Sequence, residues 1–301
     1  MEETTHYYKP SGKFSILALL TVPVLGSLAA GIGALIYSAL IWYIPFIYIN
    51  FFITLGFGFL LLMAVMPALR MARVRNLGVG FLLGLLVGAL GVYLEWSVYC
   101  ALLISAGETT EVGSGLRALS FTDTSFDLDL MLNVAVHPSV IWEIIKALYA
   151  EGSWGIFRIT VSGIPLVLVW LVEAGIIAFL PALGAIGVAS EPFSEKEGKW
   201  MKETKFKGRI APDDAILNGI SLLEQGRFDA IFDAARVSED ESGLGFVAYS
   251  DSRKEENYLT IQMHRIETTS DGKSKTTSVD VVTNLKIAKI HLDRLAASLE
   301  S

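Results

Sequence analysis

Two carboxylates stand where charge is otherwise missing. Glu95 is the only Asp, Glu, Lys or Arg between Arg75 and Glu108, and Glu173 is the only one from Val161 to Ser190. An ionised carboxylate amid that much apolar sequence costs about 3 kcal/mol or more in a bilayer, so it is rarely kept without a partner or a role. Two chemistries follow. The pair can share a proton or bind a cation between them, or each acid can be hydrogen-bonded separately to a neighbour such as Tyr93, Tyr99 or Ser97. The spacing favours an inward-facing Glu95, because it falls seven residues after Gly88 and four after Gly91, on one helical face.

The remaining reactive side chains form no recognisable pattern. Asp127, Asp129 and His137 lack metal-ligand spacing, and Asp229 with Asp233 reads as a solvated helix face rather than an acid–base pair. His264 and His291 read as structural. The single cysteine, Cys100, can form neither an intrachain disulfide nor a thiolate metal site. There is no phosphate-binding glycine loop and no nucleophile elbow. The sequence therefore predicts no catalytic residue, no metal and no cofactor.

The elements that must position Glu95 and Glu173 are membrane spans. Of the 301 residues 52% are hydrophobic and only 18% charged, below the roughly 25% of ordinary soluble domains. A helix needs about 20 apolar residues to cross ~30 Å of hydrocarbon. Phe14 to Ile41, Phe46 to Ala68, Gly78 to Ser105 and Gly163 to Val188 meet that length. The first run is too long for a cleaved signal core, so it is expected to remain as a span. Basic residues set the orientation. Lys9 and Lys13 precede the first span, and Arg70, Arg73 and Arg75 separate the second from the third. Lys199, Lys202 and Lys205 follow the fourth. Even numbers of crossings put all three clusters on one side, predicting N-in, C-in topology in a bacterial inner membrane.

The expected organisation is a cytoplasmic N-terminus over 1–13, transmembrane helices one to three over 14–105, and an extracytoplasmic loop over 106–162. A fourth transmembrane helix over 163–188, a basic connector over 189–211 and a cytoplasmic α+β domain over 212–301 complete it. Within the loop, Pro138 to Ala150 carries an apolar stripe of Val140, Ile141, Ile144, Ile145 and Leu148. This amphipathic helix suits either the outer leaflet or the flank of the spans. Gly152 to Gly155 reads as a turn. In the third span Gly80, Gly84, Gly88 and Gly91 form a small-residue groove, and Gly26, Ala30, Ala34 and Ser38 form one in the first. Helices have little hydrophobic drive to associate in lipid, so close backbone approach matters, and these residues are the expected packing surface of a four-helix bundle. The third helix is expected to be central.

In the last domain, Pro212 to Gly226 and Arg227 to Val237 read as helices. Phe246–Tyr249, Tyr258–Thr268 and Thr276–Val282 read as strands, the last two joined through Ser270-Asp271-Gly272. Ala288, Leu292, Leu295 and Leu299 stripe a terminal helix.

Three stretches, YIPFIYINFFITLGFG from Tyr43 to Gly58, Gly152 to Gly155 with Val161-Ser162-Gly163, and EPFSEKEGKW from Glu191 to Trp200, resemble segments of an uncharacterised multipass bacterial membrane-protein family. Some such proteins have a C-x-x-C-G knuckle where this chain has Ser194-Glu195-Lys196-Glu197-Gly198. The resemblance implies no activity, and without thiolates it implies no zinc here.

The leading expectation is a non-enzymatic membrane anchor, interaction or sensor protein displaying a cytoplasmic domain. The second is an ion- or proton-conducting bundle using Glu95 and Glu173, and a membrane-anchored enzyme comes third. The expected partners are the lipid bilayer, a second copy of the chain or a cytoplasmic protein, and not nucleic acid.

Overall fold

The computed structural model describes residues 6–44, 47–107, 109–112, 119–152, 154–156, 159–212, 223–228, 231–232, 234–238, 241–268 and 274–300. The chain forms two compact units, one of Gly12–Ser190 and one that joins Met1–Ser11 to Glu191–Ser301.

The first unit is helical. In chain order its helices are α1 (Ala18–Tyr43), α2 (Ile47–Met71), α3 (Leu77–Ile104), α4 (Leu128–Val136), α5 (Pro138–Glu151) and α6 (Gly163–Ser190). Four of them, α1, α2, α3 and α6, are long and apolar enough to cross a membrane. The turn from α2 into α3 is tightly specified. Arg73 takes a left-handed conformation with φ 51°, and the Asn76 side chain caps α3 by accepting from Val79 N at 3.0 Å. The extended chain before α1 clasps this turn, with Gly12 N donating to Arg75 O at 3.2 Å and Arg75 N to Lys13 O at 2.9 Å.

The four long helices close a ring in the order α1, α3, α6, α2, so no helix is central. The expected centrality of α3 is replaced by two long seams, one with α1 and one with α6. Along the second seam Gly80 meets Ala185 and Ala189, Gly84 meets Pro181 and Ala182, and Gly88 meets Ile177 and Ala178. Rising residue numbers on one helix meet falling numbers on the other, so α3 and α6 are antiparallel. Small residues line the helix seams: Ala30, Ala34, Ala182 and Ala185 are fully buried, and larger side chains such as Leu61, Leu102 and Ile177 are buried with them. Other large ones face outward, with Leu82 and Leu171 each more than 60% exposed. An apolar exterior over small-residue seams suits a hydrocarbon solvent.

Between α3 and α6 the chain is more structured than the sequence suggested. Strands β1 (Thr109–Val112) and β2 (Leu119–Thr122) pair antiparallel, as do β3 (Trp154–Ile156) and β4 (Ile159–Val161). The expected turn over Gly152–Gly155 is therefore the start of a hairpin, entered through Gly152 at φ 90°. The expected helix over Pro138–Ala150 is α5, which begins at a first-turn proline. Helix α4 precedes it. Asp127, weighed above as a metal ligand, caps α4 by accepting from Leu130 N at 3.1 Å.

The second unit continues the strand count with β5 (Phe193–Ser194), β6 (Lys199–Trp200), β7 (Lys202–Lys205), β8 (Arg209–Ile210), β9 (Arg236–Val237), β10 (Gly243–Ser250), β11 (Asn257–Thr268) and β12 (Ser274–Lys286). Helix α7 (Lys289–Glu300) ends it. The main sheet runs β12-β11-β10-β8-β9, and β7 also pairs with β10. Its core is large and aliphatic, with Leu244, Phe246, Leu259, Ile261 and Leu285 packed beneath Leu292, Leu295 and Leu299 of α7.

Two boundaries differ from expectation. The basic connector is folded, since it contributes β5 to β8. The N-terminal residues join this sheet: Tyr8 N donates to Asn284 O at 2.9 Å and Lys286 N to His6 O at 2.7 Å. Arg236–Val237 is a strand rather than the end of a helix. Most of the helix expected over 212–226, both Asp229 and Asp233, and the turn at Ser270–Gly272 lie outside the described residues.

Candidate functional site

Glu95 projects from α3 and Glu173 from α6, the two helices joined by the glycine seam. Extending that antiparallel register past Gly88 sets Glu95 opposite Trp170–Leu171 and Glu173 within one helical turn of that level, which the rings of Trp96 and Trp170 mark by meeting at 5.1 Å. Both acids are half-buried. Glu95 lies within electrostatic reach of Glu173, and Tyr37 and Tyr99 lie within reach of both.

Every helix of the ring adds a polar or aromatic group to this layer. From α1, Tyr37 Oη and Thr54 Oγ1 share a hydrogen bond of 3.3 Å, and Ser38 Oγ donates to the Glu95 carbonyl at 3.1 Å. From α2, Thr54 Oγ1 donates to Asn50 O at 2.9 Å. Tyr99 sits edge-on between Trp42 and Trp96. Ser38 and Thr54 have no exposed surface. The layer is thus two carboxylates, two phenols and two buried hydroxyls in an apolar bundle. Two carboxylates beside two phenols are groups that can hold a proton or a small cation.

Of the neighbours anticipated for the acids, only Tyr99 is present. Tyr93 turns the other way, its Oη donating to Ala135 O of α4 at 2.5 Å, and Ser97 Oγ donates to Tyr93 O within α3. Each is two residues from Glu95, hence about 160° around the helix. The missed partners, Tyr37, Ser38 and Thr54, come from α1 and α2. Ser38 was visible as the last member of the small-residue series in α1.

Gly80, Gly84 and Gly88 all lie on the seam. A Cβ on Gly84 would come within 2.7 Å of the Ala182 Cα, and one on Gly88 within 2.6 Å of the Ala178 Cα. Gly91 instead faces α2, where a Cβ would meet Leu61 Cδ1 at 2.7 Å. These glycines set the α3–α6 separation that lets Glu95 and Glu173 share a layer. Cys100 is buried in α3.

The basic residues occupy different settings. Arg70 and Arg73 are exposed at one end of the bundle, whereas Arg75 is only 9% exposed and its Nε donates to Arg73 O at 3.2 Å. Lys199, Lys202 and Lys205 are exposed on β6 and β7, and Lys205 pairs with Glu203 at 3.1 Å. The Ser194–Gly198 stretch forms a tight turn closed by Gly198 N donating to Ser194 O at 2.9 Å. It faces a second turn at 251–256. Ser252 Oγ donates to Glu197 Oε2 at 2.7 Å and Ser194 Oγ to Glu256 Oε2 at 3.3 Å. Hydroxyl–carboxylate bonds link the two turns. Among the described residues, no three His, Cys, Asp or Glu side chains gather as a metal site. Comparison with protein families, with curated proteins and with solved structures gives no match to this chain.

Proposed function

We propose that the protein is a non-enzymatic membrane anchor, interaction or sensor protein displaying a cytoplasmic domain, multi-pass in a bacterial inner membrane, with both termini on the cytoplasmic side. One observation carries this reading. The segment before α1 and the segment after α6 fold into one sheet, through Tyr8 with Asn284 and His6 with Lys286. Both ends of the bundle are therefore tied covalently to a single displayed unit, whose partner is a cytoplasmic protein or a second copy of the chain. A rearrangement between α1 and α6 would have to be accommodated by that unit. The basic residues Arg70, Arg73, Lys199, Lys202 and Lys205, by the rule that basic flanks face the cytoplasm, support this orientation.

A second reading has its own support. The layer of Glu95, Glu173, Tyr37 and Tyr99 suits proton or cation binding, and with it conduction. Proteoliposomes separate the two. An anchor gives proton and monovalent-cation flux no greater than that of empty vesicles, for the wild type and for Glu95→Gln and Glu173→Gln alike. Conduction gives wild-type flux that either substitution abolishes, and that result would replace the first reading. A C-terminal tag that reacts with an impermeant reagent on intact cells would overturn the orientation.

A further inference from the structure

Helices α4 and α5 meet at a bend of 93°. Because α3 and α6 are antiparallel, the chain leaves α3 and enters α6 at the same end of the bundle. The bent pair must therefore begin and finish at that end, so it is not a fifth crossing.

Its depth can be read from its contacts. The chain entering α4 is pinned at the end of α3: Thr124 Oγ1 donates to Leu102 O at 2.9 Å and Ser105 Oγ to Ser125 O at 3.1 Å. At the far end of α4, Ala135 O accepts from Tyr93 Oη. Tyr93 lies about 16 Å back from Ile104 along α3, at ~1.5 Å per residue. The 28 residues of α3 span roughly 42 Å against ~30 Å of hydrocarbon. Even if all the excess protruded at this end, Ala135 would lie about 4 Å inside the hydrocarbon.

The backbone at the bend is treated as it must be where water is absent. A helix break at membrane depth is tolerated only when its freed groups find partners. The Asn133 carbonyl accepts from His137 Nδ1 at 2.7 Å, and the Val134 carbonyl accepts from His137 N at 3.0 Å. Tyr93 serves Ala135, and the His137 carbonyl accepts from Val140 N at 2.9 Å. Pro138 has no N–H to satisfy. Meanwhile large apolar side chains of the pair face outward, Leu128, Leu132, Val136 and Trp142 each more than half exposed, with Asn133, His137 and Ser139 exposed beside them at the elbow.

We infer that α4 and α5 form a re-entrant wedge embedded in one leaflet, its elbow at Val136–His137 the deepest point and its outward face covered by lipid acyl chains. The occupant is lipid because Ala135 is held at the level of Tyr93 and the exposed Leu132 and Val136 lie within a turn of it on α4. Glu143 and Lys146, paired at 2.7 Å, mark the face turned to water.

The test is nitroxide accessibility in phosphatidylethanolamine–phosphatidylglycerol nanodiscs, on the full chain carrying Cys100→Ala. Single cysteines replace Leu128, Leu132, Val136, Val140 or Glu143. The expected result is collision with oxygen severalfold above that with a water-soluble nickel chelate at Leu132, Val136 and Val140, with a maximum at Val136 and the reverse at Glu143. Chelate access at Val136 equal to that at Glu143 would overturn the wedge in favour of a water-exposed cap. Low access to both reagents at Val136 would overturn lipid as the occupant and indicate protein, with spin–spin broadening marking a second copy. If the Val136 label prevents folding, the comparison of Leu132 with Glu143 decides by the same criteria.

Discussion

The bundle and the sheet unit differ in what their closest contacts are made of and in what they expose. The α3–α6 seam of the bundle is glycine and alanine, with larger side chains such as Leu61, Leu102 and Ile177 buried beside it and Leu82 and Leu171 pointing out. Inside the sheet unit lie Phe246, Leu244 and Leu259, with lysines and threonines outside. The difference fits a difference of solvent. In water, burying apolar area drives folding, so large side chains are enclosed. In hydrocarbon that drive vanishes, and helices gain from backbone approach, so at the seam the side chain that matters is the one that is missing. Enlarging a residue at the seam and shrinking one in the sheet core should therefore be the damaging changes.

The largest effect should come from shrinking the sheet core. Phe246→Ala removes a side chain that is 2% exposed at the centre of β10 and should cost about 3–5 kcal/mol. Hydrogen exchange of the β10 and β11 amides in the full chain reads this, and the bundle amides should not change. Next comes enlargement at the seam. Gly84→Leu forces a side chain into the Pro181–Ala182 backbone and should cost about 3 kcal/mol through overpacking. It should also part α3 from α6 and lower the thermal midpoint in detergent. Its counterpart Leu82→Ala, on the outward face, should change stability by under ~0.5 kcal/mol and barely move that midpoint. If Leu82→Ala proved as damaging as Gly84→Leu, the contrast between the two interiors would be wrong.

How much of this could be read beforehand depended on range. The four long helices are visible because length and the absence of charge are properties of a single segment. The glycine series of α3 is visible for the same reason, as a spacing within one helix. Which helix that series meets is not, because nothing in α3 names Pro181 or Ala182 as its partner. The polar layer divides the same way. Glu95 and Glu173 stand out individually, but Tyr37, Ser38 and Thr54 join them only through the ring order α1, α3, α6, α2. Tyr93 and Ser97 were misplaced although helical periodicity already set them on another face. The pairing of His6 and Tyr8 with Asn284 and Lys286 spans nearly the whole chain, and no local pattern announces it.

A smaller effect tests whether the N-terminal segment is truly part of the water-bathed unit. Tyr7 Oη donates to Glu224 Oε1 at 2.7 Å. Burial, and then that carboxylate, push the phenol from 10.0 up to about 12. With the folded value raised, its contribution is fully present below pH 10 and is lost as pH rises from 10 towards 12. Tyr7→Phe should lower stability by about 1 kcal/mol at neutral pH and remove this alkaline limb. Exchange of the β12 amides, which the segment pairs with, measures both.

The smallest effect is at the opposite end of the pH scale. His264, on β11, packs against Gly245. Burial first, and the nearby Arg209 second, hold its imidazole below the ordinary 6.5. The unfolded chain therefore binds a proton that the folded sheet resists. Stability is unaffected well above pH 6.5 and declines as pH falls below it, the loss being complete once pH passes the folded value. His264→Gln should flatten that acid limb while leaving stability at neutral pH nearly unchanged. An acid limb that survived the substitution would assign the titration to carboxylates of the sheet unit. Because the seam and His264 belong to separate compact units, the seam variant Gly84→Leu should leave this limb intact, which makes the acid limb a reporter of the sheet unit alone.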